Sequence, residues 1–194
     1  MAFYALRGRT SVKWGDYGDM LQHGMTMHLP RSDGRLQLER TAPYVPPISV
    51  NLHVLVTEDA KHRIEDSQLS GWSFIPVYKA RIVHLPWETW DLAAEEPAVY
   101  PDTGEPEDYI LQRPHDQAAA DQIGTIYELV VRETARVRRV PAAESATGRP
   151  ILLADSWNGN DFFRAEGVMT TYVTERAKQW LQAAFPGHVA FEPA

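Results

Sequence analysis

Val54-Leu-Val-Thr-Glu-Asp-Ala-Lys-His-Arg-Ile64 and Thr171-Tyr-Val-Thr-Glu-Arg-Ala-Lys-Gln-Trp-Leu181 are two copies of one pattern. Ten residues on, each reaches a Phe-x-Pro, Phe74-Ile-Pro76 and Phe191-Glu-Pro193. The offset is 117 throughout, without a gap, and Val56, Thr57, Glu58, Ala60, Lys61, Phe74 and Pro76 recur as Val173, Thr174, Glu175, Ala177, Lys178, Phe191 and Pro193. In both copies an apolar extended run (52–56, 168–173) leads to a Thr at the helix N-cap. A Glu follows at the first helical position, where the helix dipole favours negative charge. Ala177, Trp180, Leu181 and Ala184 then fall at i, i+3, i+4 and i+7, one apolar face, and Ala60 and Ile64 keep part of it in the first copy. Turn residues close each helix, Ser70-Gly71 and Pro186-Gly187, before alternation resumes as a strand. Each copy therefore reads as strand–helix–strand. The expected fold is α+β, a mixed or antiparallel sheet in one domain over 1–194, with pseudo-repeat units near 51–77 and 168–194.

The recurring Thr-Glu pair could mark a doubled catalytic site, but a helix start needs these residue types anyway, and capping is the simpler account. Outside the repeat, residues 3–6, 15–18, 32–34 and 36–38 read as short strands or loops. Residues 117–123 read as a short helix, and the β-branched run 126–131 as a strand.

At 194 residues, with 44% hydrophobic and 23% charged, the chain is long enough and apolar enough to build its own core. It has no cysteine, which excludes a disulfide framework and thiol catalysis. No apolar run approaches the ~20 residues of a membrane span. The N-terminus, Met1-Ala-Phe-Tyr-Ala-Leu-Arg7, lacks a basic start followed by an apolar core, so a cytoplasmic location is expected. The net charge of −7 argues against nucleic acid or an anionic membrane as a partner.

That charge is concentrated. Between Ile82 and Gln112 there is no Lys or Arg, while Glu88, Asp91, Glu95, Glu96, Asp102, Glu105, Glu107 and Asp108 are acidic, so this window carries −8 and the rest of the chain +1. Pro86, Pro97, Pro101 and Pro106 interrupt any long helix, and residues 93–108 read as an irregular acidic loop. Two readings stand: a solvated linker, or a docking surface for a basic partner with Trp87, Trp90 and Tyr100 as anchors among steering carboxylates.

No Gly-x-x-x-x-Gly-Lys, Gly-x-Gly-x-x-Gly, Gly-x-Ser-x-Gly or His-Glu-x-x-His motif is present. His23 and His28 lie near Met20, Met25 and Met27, but two imidazoles do not complete a ligand shell, and neither metal nor cofactor is expected. The turn Asp155-Ser-Trp-Asn-Gly-Asn-Asp161 is explained by turn chemistry alone.

Gly159-Asn-Asp-Phe-Phe-Arg164, Tyr172-Val-Thr-Glu-Arg-Ala177 and the closing Val189-Ala-Phe-Glu-Pro193 resemble the C-terminal signature of immunity proteins of bacterial polymorphic and contact-dependent toxins, in particular the myxobacterial double-CXXCG motif family. Trp14-Gly-Asp-Tyr17 and the first repeat copy are similar to it as well. Both cysteine pairs of that family are missing, so any metal knuckle is not carried over and the resemblance extends to the scaffold alone. It implies a protein that binds a cognate toxin and blocks it, without catalysis of its own. The expected contact region is Trp87, Glu88, Trp90, Asp91, Glu95, Glu96, Tyr100, Asp102, Glu105, Glu107 and Asp108. The alternative is a small enzyme in which His53, His62, His84 and Asp161 converge only in the fold.

Overall fold

The computed structural model describes residues 2–27, 32–138 and 151–194, and every structural statement below concerns these. In chain order the elements are β1 (Phe3–Gly8), α1 (Asp16–His23), β2 (Met25–Met27), β3 (Gln37–Ala42), β4 (Ile48–Val50), β5 (Val54–Thr57), α2 (Glu58–Asp66), β6 (Trp72–Pro76) and β7 (Tyr78–His84). They continue with α3 (Asp108–Leu111), α4 (Gln117–Gln122), β8 (Ile126–Val131), β9 (Glu133–Arg138), β10 (Ile151–Leu153), β11 (Phe162–Ala165), β12 (Thr171–Thr174), α5 (Glu175–Ala184) and β13 (Val189–Pro193). The fold is α+β, with mixed sheets.

The repeat copies occupy β5–α2–β6 and β12–α5–β13. In both, the Thr hydroxyl caps the helix, Thr57 accepting from the Ala60 N–H at 3.4 Å and Thr174 from that of Ala177 at 3.2 Å. The likeness extends beyond the copies themselves. In neither do the two strands pair with each other; a third, antiparallel strand lies between them. For the first copy it is β8, where Tyr127 faces Val56 on one side and Pro76 on the other. For the second it is β1, where Tyr4 faces Val173 and Pro193. A fourth strand flanks each set, β4 pairing Ile48 with Val56 and β11 pairing Phe162 with Val173. Even the entry bond recurs: the Thr57 N–H reaches Pro47 O at 3.1 Å, and the Thr174 N–H reaches Asp161 O at 3.0 Å.

The orders β4-β5-β8-β6 and β11-β12-β1-β13 are thus one four-stranded unit built twice, and β9 and β10 extend the second. The middle strand comes last in the first unit and first in the chain for the second, which makes the duplication a circularly permuted one. The units share a core: Ala60 and Ile64 of α2, Ala177 and Leu181 of α5, and Leu6, Val56, Leu129, Phe162 and Val173 from the sheets are buried in one cluster. Burial of each of the larger ones, Val, Leu, Ile or Phe, contributes on the order of 1.5–3 kcal/mol. Arg63 of α2 donates to Ala184 O at 2.6 Å and stacks on Phe185, and Arg176 of α5 donates to Gln68 O at 2.9 Å.

What lies outside this scaffold is mostly two insertions. One runs from β1 to β4 and carries α1, β2 and β3; the other runs from β6 to β8 and carries β7, α3 and α4. They find each other through a separate sheet, β2-β3-β7, in which β3 and β7 run parallel from Gln37↔Tyr78 to Ala42↔His84. Val12, Trp14, Leu21, Val83, Trp87, Tyr109 and Ile110, all from the insertions, form its core. The reading of residues 15–18 as strand or loop is corrected here. Tyr17 and Gly18 lie within α1, which carries Asp16 and Asp19 in its first turn and ends at Gly24 (φ 68°).

Candidate functional site

The acidic window forms an ordered ridge on this inserted module. After β7 the chain makes a 3-10 turn at Trp87–Thr89, runs irregularly, and enters α3 at Asp108. Aromatic side chains hold it down. The Trp14 indole N–H donates to Ala94 O at 3.0 Å, the Tyr17 hydroxyl to Gly104 O at 2.5 Å, and the Tyr109 hydroxyl to Val99 O. Tyr17 meets Tyr100 edge-on at 5.0 Å, and Trp14 packs on Trp87 and Trp90 at 6.3 and 5.8 Å. Short local bonds shape the backbone: the Ala93 N–H to Asp91 Oδ1 at 3.0 Å, and the Glu105 N–H to Thr103 Oγ1 at 3.2 Å.

The contact residues expected from sequence separate into two sets. Asp91, Glu95, Glu96, Tyr100, Asp102, Glu105 and Glu107 are exposed. Trp87 is not: it is 1% exposed, part of the module core, and its role as a surface anchor is withdrawn. Trp90 is half-buried between Trp14 and Tyr109. Asp108 is half-buried at the start of α3, where it accepts from Thr103 Oγ1 at 2.5 Å and Gln112 Nε2 at 3.0 Å. Glu88 is also half-buried, with one carboxylate oxygen buried and without a hydrogen bond among the described residues. A Trp in an acidic, Pro-rich segment can face a partner or tie the segment down, and three of the window's four large aromatic side chains do the latter.

Sequence reasoning missed the apolar part of the surface. Leu92, Val99 and Leu111 are exposed beside the carboxylates, Val99 by half, together with Tyr100. Among the described residues no Lys or Arg pairs with the exposed carboxylates of the ridge. The nearest arginines in sequence, Arg81 and Arg113, donate to the backbone, to Leu111 O and Tyr109 O, each at 2.7 Å. Burial, then neighbouring Tyr17 and Tyr100, push the Tyr109 phenol up to about 12. Desolvation and then the Glu96 carboxylate raise that of Tyr100. Both phenols stay neutral, and the ridge's charge is that of its carboxylates.

The residues of the enzyme alternative stand on four different elements. His53, in the β4–β5 turn, pairs with Glu128 at 2.9 Å. His62 is exposed on α2 and His84 at the end of β7. Asp161 is buried and accepts from the Ser70 N–H and hydroxyl at 3.1 and 3.3 Å and from the Thr174 hydroxyl at 2.9 Å. An open groove of about 410 Å³ runs past His84 and His115. Its other polar groups are committed, His115 Nδ1 to the Ile82 N–H and Asp116 to the cap of α4. His28 lies outside the described residues; His23 is buried in hydrogen bonds. Among the described residues no three His, Asp or Glu are grouped so as to hold a metal ion, and no helix is long and apolar enough to cross a membrane. Trp157, in the polar turn 155–161, packs on Phe3 at 5.2 Å.

No protein-family model, no curated protein and no solved structure matches the chain.

Proposed function

We propose that this protein is an immunity-type inhibitor that binds a cognate bacterial toxin of basic surface in the cytoplasm and covers its functional face with the acidic ridge. The observation that carries the reading is the ridge itself, where exposed carboxylates alternate with exposed Leu92, Val99, Tyr100 and Leu111 on a backbone fixed by Trp14, Tyr17 and Tyr109. Carboxylates without internal cations steer a basic partner, and apolar side chains among them supply area to bury. A pre-ordered surface loses less conformational entropy on binding than a flexible acidic tail. The resemblance of the two repeat copies to immunity families points the same way.

The test begins with the neighbouring genes, where the reading expects one for a large secreted protein with a toxic C-terminal domain; the absence of any such gene counts against it, and its toxic domain, where present, is the probe. Co-expression with this chain should rescue growth, and the purified pair should associate faster at low salt. Replacing Glu95, Glu96, Glu105 and Glu107 with Gln should slow association about tenfold or more and flatten its salt dependence. An unchanged on-rate and full rescue by that variant would remove the ridge from the mechanism, and no rescue by the unaltered chain would remove the function.

A further inference from the structure

His23 ends α1, in the inserted module, and is buried against the duplicated scaffold. Its Nδ1 lies 2.8 Å from the Ser49 hydroxyl on β4, a side-chain bond that crosses from module to scaffold. Its Nε2 lies 3.4 Å from both the Thr10 hydroxyl and the Gln22 amide nitrogen. Thr10 is itself bonded to Asp19. Gln22, fully buried, accepts from the Ser11 N–H and hydroxyl at 2.8 and 2.7 Å and donates to Arg9 O at 2.8 Å. A neutral imidazole has one N–H and one acceptor nitrogen. Whichever nitrogen carries the hydrogen, the other accepts from one of these neighbours.

A second proton removes that acceptor and places a charge in a desolvated site. The charged and titratable groups facing it are Asp19 from α1, Arg40 from β3 and His188 from the turn before β13. Arg40 is fully buried and already positive, and its guanidinium donates to the carbonyls of Gln22, Thr41 and Tyr44. Asp19 alone opposes the two cationic neighbours that acid would leave.

We propose that His23 is a proton-controlled latch between the inserted module and the scaffold. Neutral, it bonds Ser49 and keeps α1 seated; protonated, its ring can still donate to the Ser49 hydroxyl, but it adds a second buried cation to that of Arg40, and this releases α1. The ridge then loses its platform, because Trp14 and Tyr17, which hold it at Ala94 and Gly104, belong to α1 and the segment leading into it. The latch is a property of the fold and holds whether or not the ridge binds a toxin. Burial keeps the imidazole at about 4, with Asp19 pulling it up and Arg40 and His188 pushing it down, so the release belongs to acid conditions.

Hydrogen exchange of the full chain, followed from pH 7 to pH 4 and corrected for intrinsic rates, tests this. Segments 10–24 and 86–111 should lose protection at a higher pH than segment 171–184 of the scaffold. In His23→Gln, whose amide keeps a donor and an acceptor but takes no proton, the module should stay protected until the scaffold opens. Ser49→Ala, which removes the scaffold's half of the bond, should move the module's opening up by about one pH unit. Simultaneous loss of protection in module and scaffold overturns the latch. So does a module midpoint that neither variant moves, or that stays put in Ser49→Ala if His23→Gln does not fold.

Discussion

The Lys178 ammonium lies 3.8 Å from the centre of the Tyr4 ring, and the hydroxyl of that same ring, first among its neighbours, holds the Glu175 carboxylate below its usual range. The first unit repeats the device: Lys61 lies 5.4 Å from the Tyr127 ring, and the Tyr127 hydroxyl reaches Glu58 at 3.3 Å. The Glu and Lys shared by the copies are thus more than a helix start. They set the helix against the aromatic residue of the middle strand in both units.

If so, Lys61 and Tyr127 are coupled. A double-mutant cycle with Lys61→Met and Tyr127→Leu should return a coupling of about 0.5 kcal/mol. The cycle through Lys178 and Tyr4, whose contact is closer, should return a larger one. Urea denaturation measures both, and additivity in each would leave the recurrent Lys to solubility alone.

Arg40 donates to the buried carbonyls of Thr41 and Gln22 and to the partly buried one of Tyr44, and holds β3 to the end of α1. Arg40→Met leaves those oxygens without donors and should cost on the order of 3 kcal/mol, with Arg40→Lys retaining part of that. The loss should show as a lower urea midpoint. A variant as stable as the parent would mean water takes over all three bonds.

Burial lowers His23 to about 4 and holds His188 below its ordinary value as well. In the unfolded chain a histidine takes up its proton near 6.5. Between pH 6.5 and 4 the unfolded state therefore binds more protons, and the free energy of unfolding falls as pH falls. For His23 alone the full window is worth up to about 3 kcal/mol. Denaturation at pH 7, 6 and 5 should show the decline, and His23→Gln should shrink it. A flat profile in the parent would contradict the burial of a neutral ring.

Asp161, a candidate catalytic acid by residue type, ties together the turn after α2, the start of β11 and the cap of α5 through Ser70 and Thr174. Arg176, more exposed, approaches it at 3.5 Å. Asp161→Ala should destabilise by about 1–3 kcal/mol, since it leaves the buried Thr174 hydroxyl and the Ser70 donors without their acceptor. Asp161→Asn should recover part of that. Thermal denaturation separates the cases; a loss of less than about 0.5 kcal/mol would return Asp161 to the pool of functional candidates.

The duplicated strand–helix–strand was legible because the spacing from the Thr cap to the Phe-x-Pro is the same in both copies, so a single offset aligns them. The rest of each unit was not. Tyr4 and Tyr127 stand in register with the repeat but on opposite sides of it along the chain, and no ungapped alignment of the copies includes them. Ile48 and Phe162 are related by a different offset, because the two hairpins before the helices differ in length. Helix α1 was hidden by Gly15, Gly18 and Gly24, which read as turns, although Gly15 and Gly24 only bound it and Gly18 packs close to Val12. On the ridge, the carboxylates were legible as exposed because charge is costly to bury. Which aromatic residues face inward was not, since that depends on α1 arriving beneath the loop from a distant part of the chain.

The permuted arrangement also bears on synthesis. Residues 3–8 are translated some 165 residues ahead of the strands that flank them, Thr171–Thr174 and Val189–Pro193. Until then the segment has two open edges and an aromatic, aliphatic face with nothing to cover it, the kind of surface on which nascent chains aggregate or recruit chaperones. The first unit, whose strands all lie between Ile48 and Val131, can close much sooner, and would offer the waiting strand a finished surface to shelter against.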